Sequence, residues 1–324
     1  MDISLGYYKG INCYYLENEL LRLAVAPERG AKILSLLYKP QNFEVFFQPV
    51  DGTYPLAEYG ADFARYDTSG ADEMFPTIDA CNYPYEGYSK VSLPDHGELW
   101  SLPWTVIEDQ EALMTEIKGV ALPYIFSRSI TLCENILHCK YKVYNAGNQP
   151  LYGLWAFHGL VACDEWTTII LPDVKDVITV HNSKALGSVG TRHSFPSTID
   201  QTGEQYSLQW IAPKSAGKTE KFYVDGSLLQ GEAALTLNQG QLLYKVLFPV
   251  HKVPYLGVWC NEGGFKGEYN CALEPATGYY DSLEIANEQQ SIQPLQPQET
   301  MEWYLDIELT PWPKTENNGL DKKR

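Results

Sequence analysis

Four segments place ionisable side chains where a packed chain has no structural need of them. Residues 93–104, Leu-Pro-Asp-His-Gly-Glu-Leu-Trp-Ser-Leu-Pro-Trp, set His96 between an acid and a glycine. Asp95 or Glu98 can orient that imidazole and fix its tautomer. Trp100 and Trp104 offer flat apolar faces on which a pyranose can stack. His158 ends the apolar stretch 151–160, where an imidazole with an ordinary pKa of about 6.5 is a usable acid near neutrality. Glu274 follows an apolar run and precedes Pro275, which is expected to end strand pairing. A carboxylate there is partly desolvated, and its pKa should rise towards that of a general base. Residues 70–79 hold Asp72, Glu73 and Asp79 around Met74-Phe75-Pro76, the pattern of a shaped loop. Each signal has a bland alternative: a solvated turn plugged by Phe75, a loop His satisfied by its neighbours, a core His bonded to a carbonyl, a strand-end Glu in water. Together, two His, one Glu and Trp faces suit proton transfer to and from a neutral, hydroxyl-rich ligand.

Other arrangements carry less. Ser188, His193 and Asp200 share one stretch but have no Gly-x-Ser-x-Gly elbow. Ala216-Gly-Lys-Thr lacks the upstream glycine of a phosphate loop. His181 and His193 have no His or Cys at ligand spacing, which argues against zinc. Arg128 breaks an otherwise apolar face and either neutralises an anionic ligand or pairs with a neighbouring carboxylate. His251 reads as a surface residue.

The elements that must position these groups are strands. Residues 301–309, 136–144, 124–132 and 242–248 alternate apolar and polar residues with period two. Further strands are predicted at 19–26, 31–38, 43–48, 98–107, 112–118, 151–157, 176–181, 207–211, 220–225, 233–237, 255–260 and 269–274. Short helical turns are expected near 55–65 and 283–289. The 25 Gly and 20 Pro punctuate the whole chain rather than mark a linker. The expectation is an all-β sandwich of two large, mainly antiparallel sheets, one domain over 1–311, with a polar tail over 312–324 that frays. A length of 324 residues and 44% hydrophobic composition suffice for a sizeable core.

With 24 basic against 41 acidic residues, the net charge of −17 repels phosphate backbones and anionic membranes. No stretch approaches the length of a membrane span. Seven Cys, an odd number without CxxC spacing, read as reduced, buried small hydrophobes in a cytoplasmic protein. The oligomeric state stays open between monomer and homodimer.

The chain resembles the aldose 1-epimerase (galactose mutarotase-like) family. The resemblance rests on Gly30-Ala-Lys-Ile-Leu-Ser-Leu, Asp95-His-Gly-Glu-Leu-Trp-Ser-Leu-Pro-Trp, His158 at a strand end, Pro254-Tyr-Leu-Gly-Val-Trp and Ala272-Leu-Glu-Pro-Ala-Thr-Gly, in that order over residues 19–309. It implies a β-supersandwich with one sugar cleft and a mutarotase that interconverts α and β anomers of an aldose. It further implies Glu274 as the base at the anomeric hydroxyl, His158 as the acid at the ring oxygen, and His96 beside that oxygen. No metal or organic cofactor is implied, because the chemistry is proton shuttling. The chain departs from galactose mutarotases proper in lacking an Asn-Arg dipeptide and in reading His96-Gly97-Glu98 where they carry His-Gly-Gly. The Asp that holds sugar hydroxyls in that family has no clear counterpart. Asp72, Glu73, Trp259 and Asp281 are the candidate replacements, with Trp100 as a stacking face. The rival expectations are a non-catalytic sugar-binding or sensing protein, and a glycoside hydrolase using Glu274 with Asp72 or Glu73.

Overall fold

A computed structural model describes residues 1–107, 109 and 111–313. The predicted frayed tail lies, beyond Pro313, outside the described residues. Period-two alternation sorts the chain into two large sheets, and every strand pair among the described residues is antiparallel. The larger sheet has 13 strands. Its centre runs Lys32–Tyr38, Ala71–Met74, Ala156–Gly159, Tyr269–Ala276, Tyr255–Glu262 and Lys218–Val224. The smaller has eight, centred on Leu242–Leu247, Thr300–Pro311, Ile136–Asn145 and Tyr124–Cys133. Leu137, Cys139, Tyr141 and Val143 turn their side chains to the core, as their alternation requires, and Leu305, Ile307 and Leu309 join them. No helix among the described residues is long and apolar enough to cross a membrane.

Several expectations shift. Residues 98–107 do not form one strand: Leu99–Ser101 is a 3-10 turn and only Thr105–Ile107 is extended. The predicted strand 151–157 begins later, at Ala156, and runs to Gly159. Pro275 does not end pairing, since Tyr269–Ala276 continues through it opposite Leu256. Several strands appear that the alternation did not announce: Ala71–Met74 is a central strand where a shaped loop was expected, and Asp2–Tyr8 and Ile11–Glu17 form a hairpin at the sheet edge. The latter two close over a two-residue turn at Lys9-Gly10, both with positive φ. All seven cysteines are free, but Cys133 is exposed and Cys81 and Cys163 are half-buried, so only four are core hydrophobes.

The two sheets are joined in the core by an ion pair. Arg128, from Tyr124–Cys133, reaches Glu73, from Ala71–Met74, at 2.9 Å, and neither side chain is exposed. Tyr141 Oη donates to the same Glu73 oxygen at 2.9 Å, and Trp155 Nε1 donates to the other at 2.8 Å. Arg128 also donates to the Ala31 carbonyl. The charge that interrupted an apolar face is thus paired with a carboxylate, the second of its two expected roles.

Candidate active site

Strand register builds the cleft. Ala156–Gly159 runs beside Ala71–Met74 with His158 opposite Asp72 and Phe157 opposite Glu73. Side chains alternate faces, so Asp72 and His158 share one face while Glu73 and Phe157 turn towards the other sheet. On the next three strands Tyr223, Gly257 and Glu274 stand in one row, and Lys221, Trp259 and Ala272 in the row beside it. Gly257 lets two large groups approach: a Cβ there would come 2.9 Å from the Tyr223 ring.

Two loops complete the walls. Asp95-His96-Gly97 turns sharply, with His96 at φ 59° and Gly97 at φ 69°. A Cβ on Gly97 would lie 2.3 Å from the Phe75 carbonyl oxygen, so glycine alone permits this close approach. Glu98 N donates to the same carbonyl at 2.8 Å, tying the His96 loop to the strand that ends at Met74. Asp281 precedes the short helix Leu283–Glu288, capped by Ser282, and its carbonyl accepts from Ile78 N at 3.0 Å and Asp79 N at 2.7 Å. That contact draws residues 75–79 and 281 together.

The result is a cleft of about 400 Å³, lined among others by His96, His158, Lys221, Trp259, Asp79 and Asp281. His96 Nδ1 sits 2.8 Å from Asp95 Oδ1, which leaves Nε2 free, and its ring stacks on Phe63 at 4.0 Å. The His158 ring stands perpendicular to it, with centroids 5.6 Å apart. His158 is 8% exposed and its Nδ1 has no hydrogen-bond partner. Burial, then the charges of His96 and Lys221, hold its pKa well below the usual imidazole range. His158 is therefore a neutral imidazole near pH 7, able to donate one proton and accept another.

Across the cleft Lys221 is closed in by carboxylates. Its Nζ lies 2.5 Å from Glu274 Oε2 and 3.4 Å from Asp281 Oδ2. Burial alone would lower its pKa, but Asp281 and Glu274 outweigh that and raise it, so it stays charged. Asp281 also accepts from Tyr223 Oη at 2.9 Å and lies 3.4 Å from His181 Nε2. Burial would raise its pKa, but Lys221 and His181 hold it below the usual carboxylate range. Glu274 is fully buried. Burial raises its pKa and Lys221 only partly offsets this, the direction expected for a general base. Its Oε1 has no partner.

The expected site residues separate into three groups. His96, His158, Trp259 and Asp281 line the cleft. Glu274 and Asp72 lie beneath its wall: Lys221 stands at the surface in front of Glu274, and Asp72 is 2.9 Å from Lys32 Nζ, which also holds Asp67 at 2.7 Å. Burial pushes the Asp72 carboxyl up to about 6, with Lys32 opposing. Glu73, expected at the ligand, instead faces the other sheet in the core and cannot serve as a second carboxylate for hydrolysis. Trp100 is also corrected: it packs edge-on behind Phe63 at 5.0 Å and its Nε1 donates to the Asp95 carbonyl, while Trp104 lies in the core. Both Trp serve to fix the loop that holds His96. Glu98 takes no part in orienting His96. Its carboxylate accepts from Tyr124 and Tyr59 and from the amides of Val120 and Ala121.

Two cleft groups, Lys221 and His181, were absent from the expected site, and a third, Asp79, was read only as part of the segment 70–79. Lys221 lies in an alternating strand with no local motif, Asp79 sits past the Met-Phe-Pro turn, and His181 gains its neighbours only through folding. His181, set aside for want of nearby ligands, has its ligand atom within 4.8 Å of those of Asp79 and Asp281. His193 is a structural residue, its Nε2 2.8 Å from the Leu186 carbonyl oxygen.

Comparison with known proteins gives the context for this geometry. Neither protein-family models nor curated proteins give a match to the chain. Solved structures do. A galactose mutarotase related enzyme from Lactobacillus acidophilus aligns over 93% of this chain and 98% of its own, with a TM-score of 0.67 and 15% identity. The fold is galactose mutarotase-like. A galactose mutarotase-like protein from Lactobacillus casei gives 0.67 at 16% identity over 92% of this chain and 100% of its own. The Slr1438 protein from Synechocystis sp. gives 0.69 at 16% identity over 92% and 95%. This is a divergent sequence on a shared scaffold.

Proposed function

We propose that the cleft binds an aldose and interconverts its α and β anomers by acid–base ring opening. The observation that supports this best is the pairing, around one cleft, of the perpendicular His96–His158 rings with the Lys221–Glu274–Asp281 cluster. The scaffold's likeness to mutarotase-related proteins agrees with it.

In this reading Glu274 is the base. Oε2 is held by Lys221, leaving Oε1 to take the proton of the anomeric hydroxyl. As the C1–O5 bond breaks and the aldehyde forms, O5 receives a proton from the imidazolium form of His158, which burial makes the minor form and the stronger acid, with the Asp95–His96 pair beside it. Rotation about C1–C2 and the reverse transfers close the ring on its other face. The protons return to their donors, so no net change falls on the protein. Asp281, His181 and Trp259 hold the remaining hydroxyls and the ring face.

A second reading, a non-catalytic sugar-binding protein, is favoured by one observation: Lys221 rather than Glu274 forms the cleft wall. Polarimetry or NMR of freshly dissolved α-glucose, α-galactose and a wider aldose panel separates the two. Acceleration of anomer exchange over buffer supports the mutarotase; saturable binding without acceleration supports the binding protein. Glu274→Gln and His158→Ala are each expected to lower exchange by about 100-fold or more, the scale of general acid–base groups. Wild-type exchange in both folded variants would remove the assigned roles.

A further inference from the structure

We propose that the cleft selects for positive charge: an aldose carrying an ammonium group binds more tightly than its uncharged parent, and phosphorylated or carboxylated sugars are refused. The inference rests on the sugar-binding reading above and adds the charge class of the ligand.

The cations in and beneath the cleft are already paired. Among the described residues that line the cleft, the one permanently cationic side chain is Lys221, and it is already enclosed by Glu274 and Asp281. Lys32, beneath the wall, is taken by Asp67 and Asp72. Arg128 belongs to the inter-sheet core. A phosphate or carboxylate entering the cleft would thus find no uncommitted cation to replace its hydration.

The anions tell the opposite story. Asp62, Asp79, Asp95, Glu268 and Asp281 all line the cleft. Four of them have partners: Asp62 is near Arg65, Asp95 near His96, Glu268 accepts from Thr68 and lies 3.8 Å from Lys266, and Asp281 serves Lys221, Tyr223 and His181. The Asp79 carboxylate makes no hydrogen bond or ion pair among the described residues. In half-enclosed walls where carboxylates outnumber cations, the excess negative field is concentrated inside the cleft. Independently of these carboxylates, His158 is more than nine-tenths buried and lines the same cleft, so a polar ring is built into its wall.

A divalent metal is the competing occupant of Asp79, His181 and Asp281. It fits less well, because the Lys221 ammonium already stands 3.4 Å from Asp281 Oδ2 and would repel a doubly charged ion. An ammonium carries half that charge and supplies three donors, of which Asp79 can accept without displacing Lys221.

The test is a calorimetric titration of the full chain with galactosamine, N-acetylgalactosamine, galactose and galactose 6-phosphate, and with the matching glucose series, at a pH where the amine is protonated. The amine is expected to bind about five- to tenfold more tightly than the neutral parent, the scale of one partly enclosed ion pair, with the N-acetyl and phosphate forms weaker. Asp79→Asn should bring the amine-to-parent ratio close to one. Equal or tighter binding of the phosphate or N-acetyl sugar overturns the proposal. So does an amine preference that survives Asp79→Asn, or one that requires added zinc or calcium and vanishes with chelator. The wild-type ligand series decides the matter by itself if the variant does not fold. Anomer exchange on neutral galactose is measured alongside: exchange without amine preference defeats this inference alone, whereas absence of both binding and exchange defeats the underlying reading as well.

Discussion

Lys221 sets the working range of the carboxylate behind it. A base must be ionised to act, so exchange falls as the pH drops through the pKa of Glu274. Burial has raised that pKa, and the ammonium 2.5 Å away is the largest opposing influence. Lys221→Met removes the opposition while keeping the stem's volume, so the pKa rises further. The acid limb of the exchange-rate profile should therefore move to higher pH. An unchanged limb would mean that Glu274 is not the group being titrated. Glu274, His96 and His158 were visible in the sequence because each stands next to a glycine or proline that breaks an apolar run. Lys221 has no such marker. It sits in an ordinary alternating strand, and its chemistry arises because a strand two places along the sheet and the loop before the short helix put Glu274 and Asp281 against it. Glu73 misled for the complementary reason: it is adjacent to Asp72, but adjacency in a strand puts two side chains on opposite faces.

At the level of elements, the site depends on two junctions that are not themselves catalytic. The first is the crossing of the His96 loop over the Phe75 backbone. Gly97→Ala would push a methyl into the Phe75 carbonyl and force a residue with a side chain into positive φ. The loop must move, and His96 with it. Exchange should fall at least tenfold, on the scale of a misplaced catalytic group, with the His96 imidazole resonances shifted while those of His138, on the other sheet, stay in place. Unmoved resonances would mean that the loop tolerates the methyl. The second junction is the Arg128–Glu73 pair between the sheets. Glu73→Gln leaves Arg128 charged in a site with no exposure, and should cost about 3–5 kcal/mol in denaturant unfolding. Replacing both partners together, Glu73→Leu with Arg128→Met, should return only part of that loss: no buried charge remains, but Tyr141 Oη, Trp155 Nε1 and the Ala31 carbonyl lose their partners. A loss in the double variant as large as in the single one would show that these unpaired hydrogen-bonding groups, rather than the buried charge, dominate here. Most central strands were legible from their apolar residues, but Ala71–Met74, buried on both faces and carrying two acids, read as a loop. The first two strands were not legible either: Asp2–Tyr8 lies at the sheet edge and exposes most of its residues, so its alternation carries no burial signal. The segment 98–107 has the composition of a strand, but its two Trp are anchored by Nε1 bonds to the Asp95 and Leu99 carbonyls, which favours a compact turn.

For the whole molecule, the sandwich architecture could be read from periodicity, whereas the charge logic of the cleft could not, because it depends on which acids are already paired. The net charge of −17 bears on both stability and binding. An excess of like charge over a compact surface is self-repelling, and the repulsion acts across distances that salt screens efficiently. The buried pairs around Lys221, Lys32 and Arg128 lie out of solvent and are screened far less. Raising sodium chloride from about 20 to about 300 mM, which shortens the screening length from over 20 Å to about 6 Å, should therefore raise Tm by a few degrees. Calorimetric melts across that range check this. A falling Tm would mean that the surface charges are arranged in net attraction despite their sum. Titrations with a protonated amino sugar over the same range separate cleft from surface. If the carboxylates lining the cleft create the preference, its affinity should weaken with salt while that of the neutral parent holds steady, because only the charged ligand senses the field being screened.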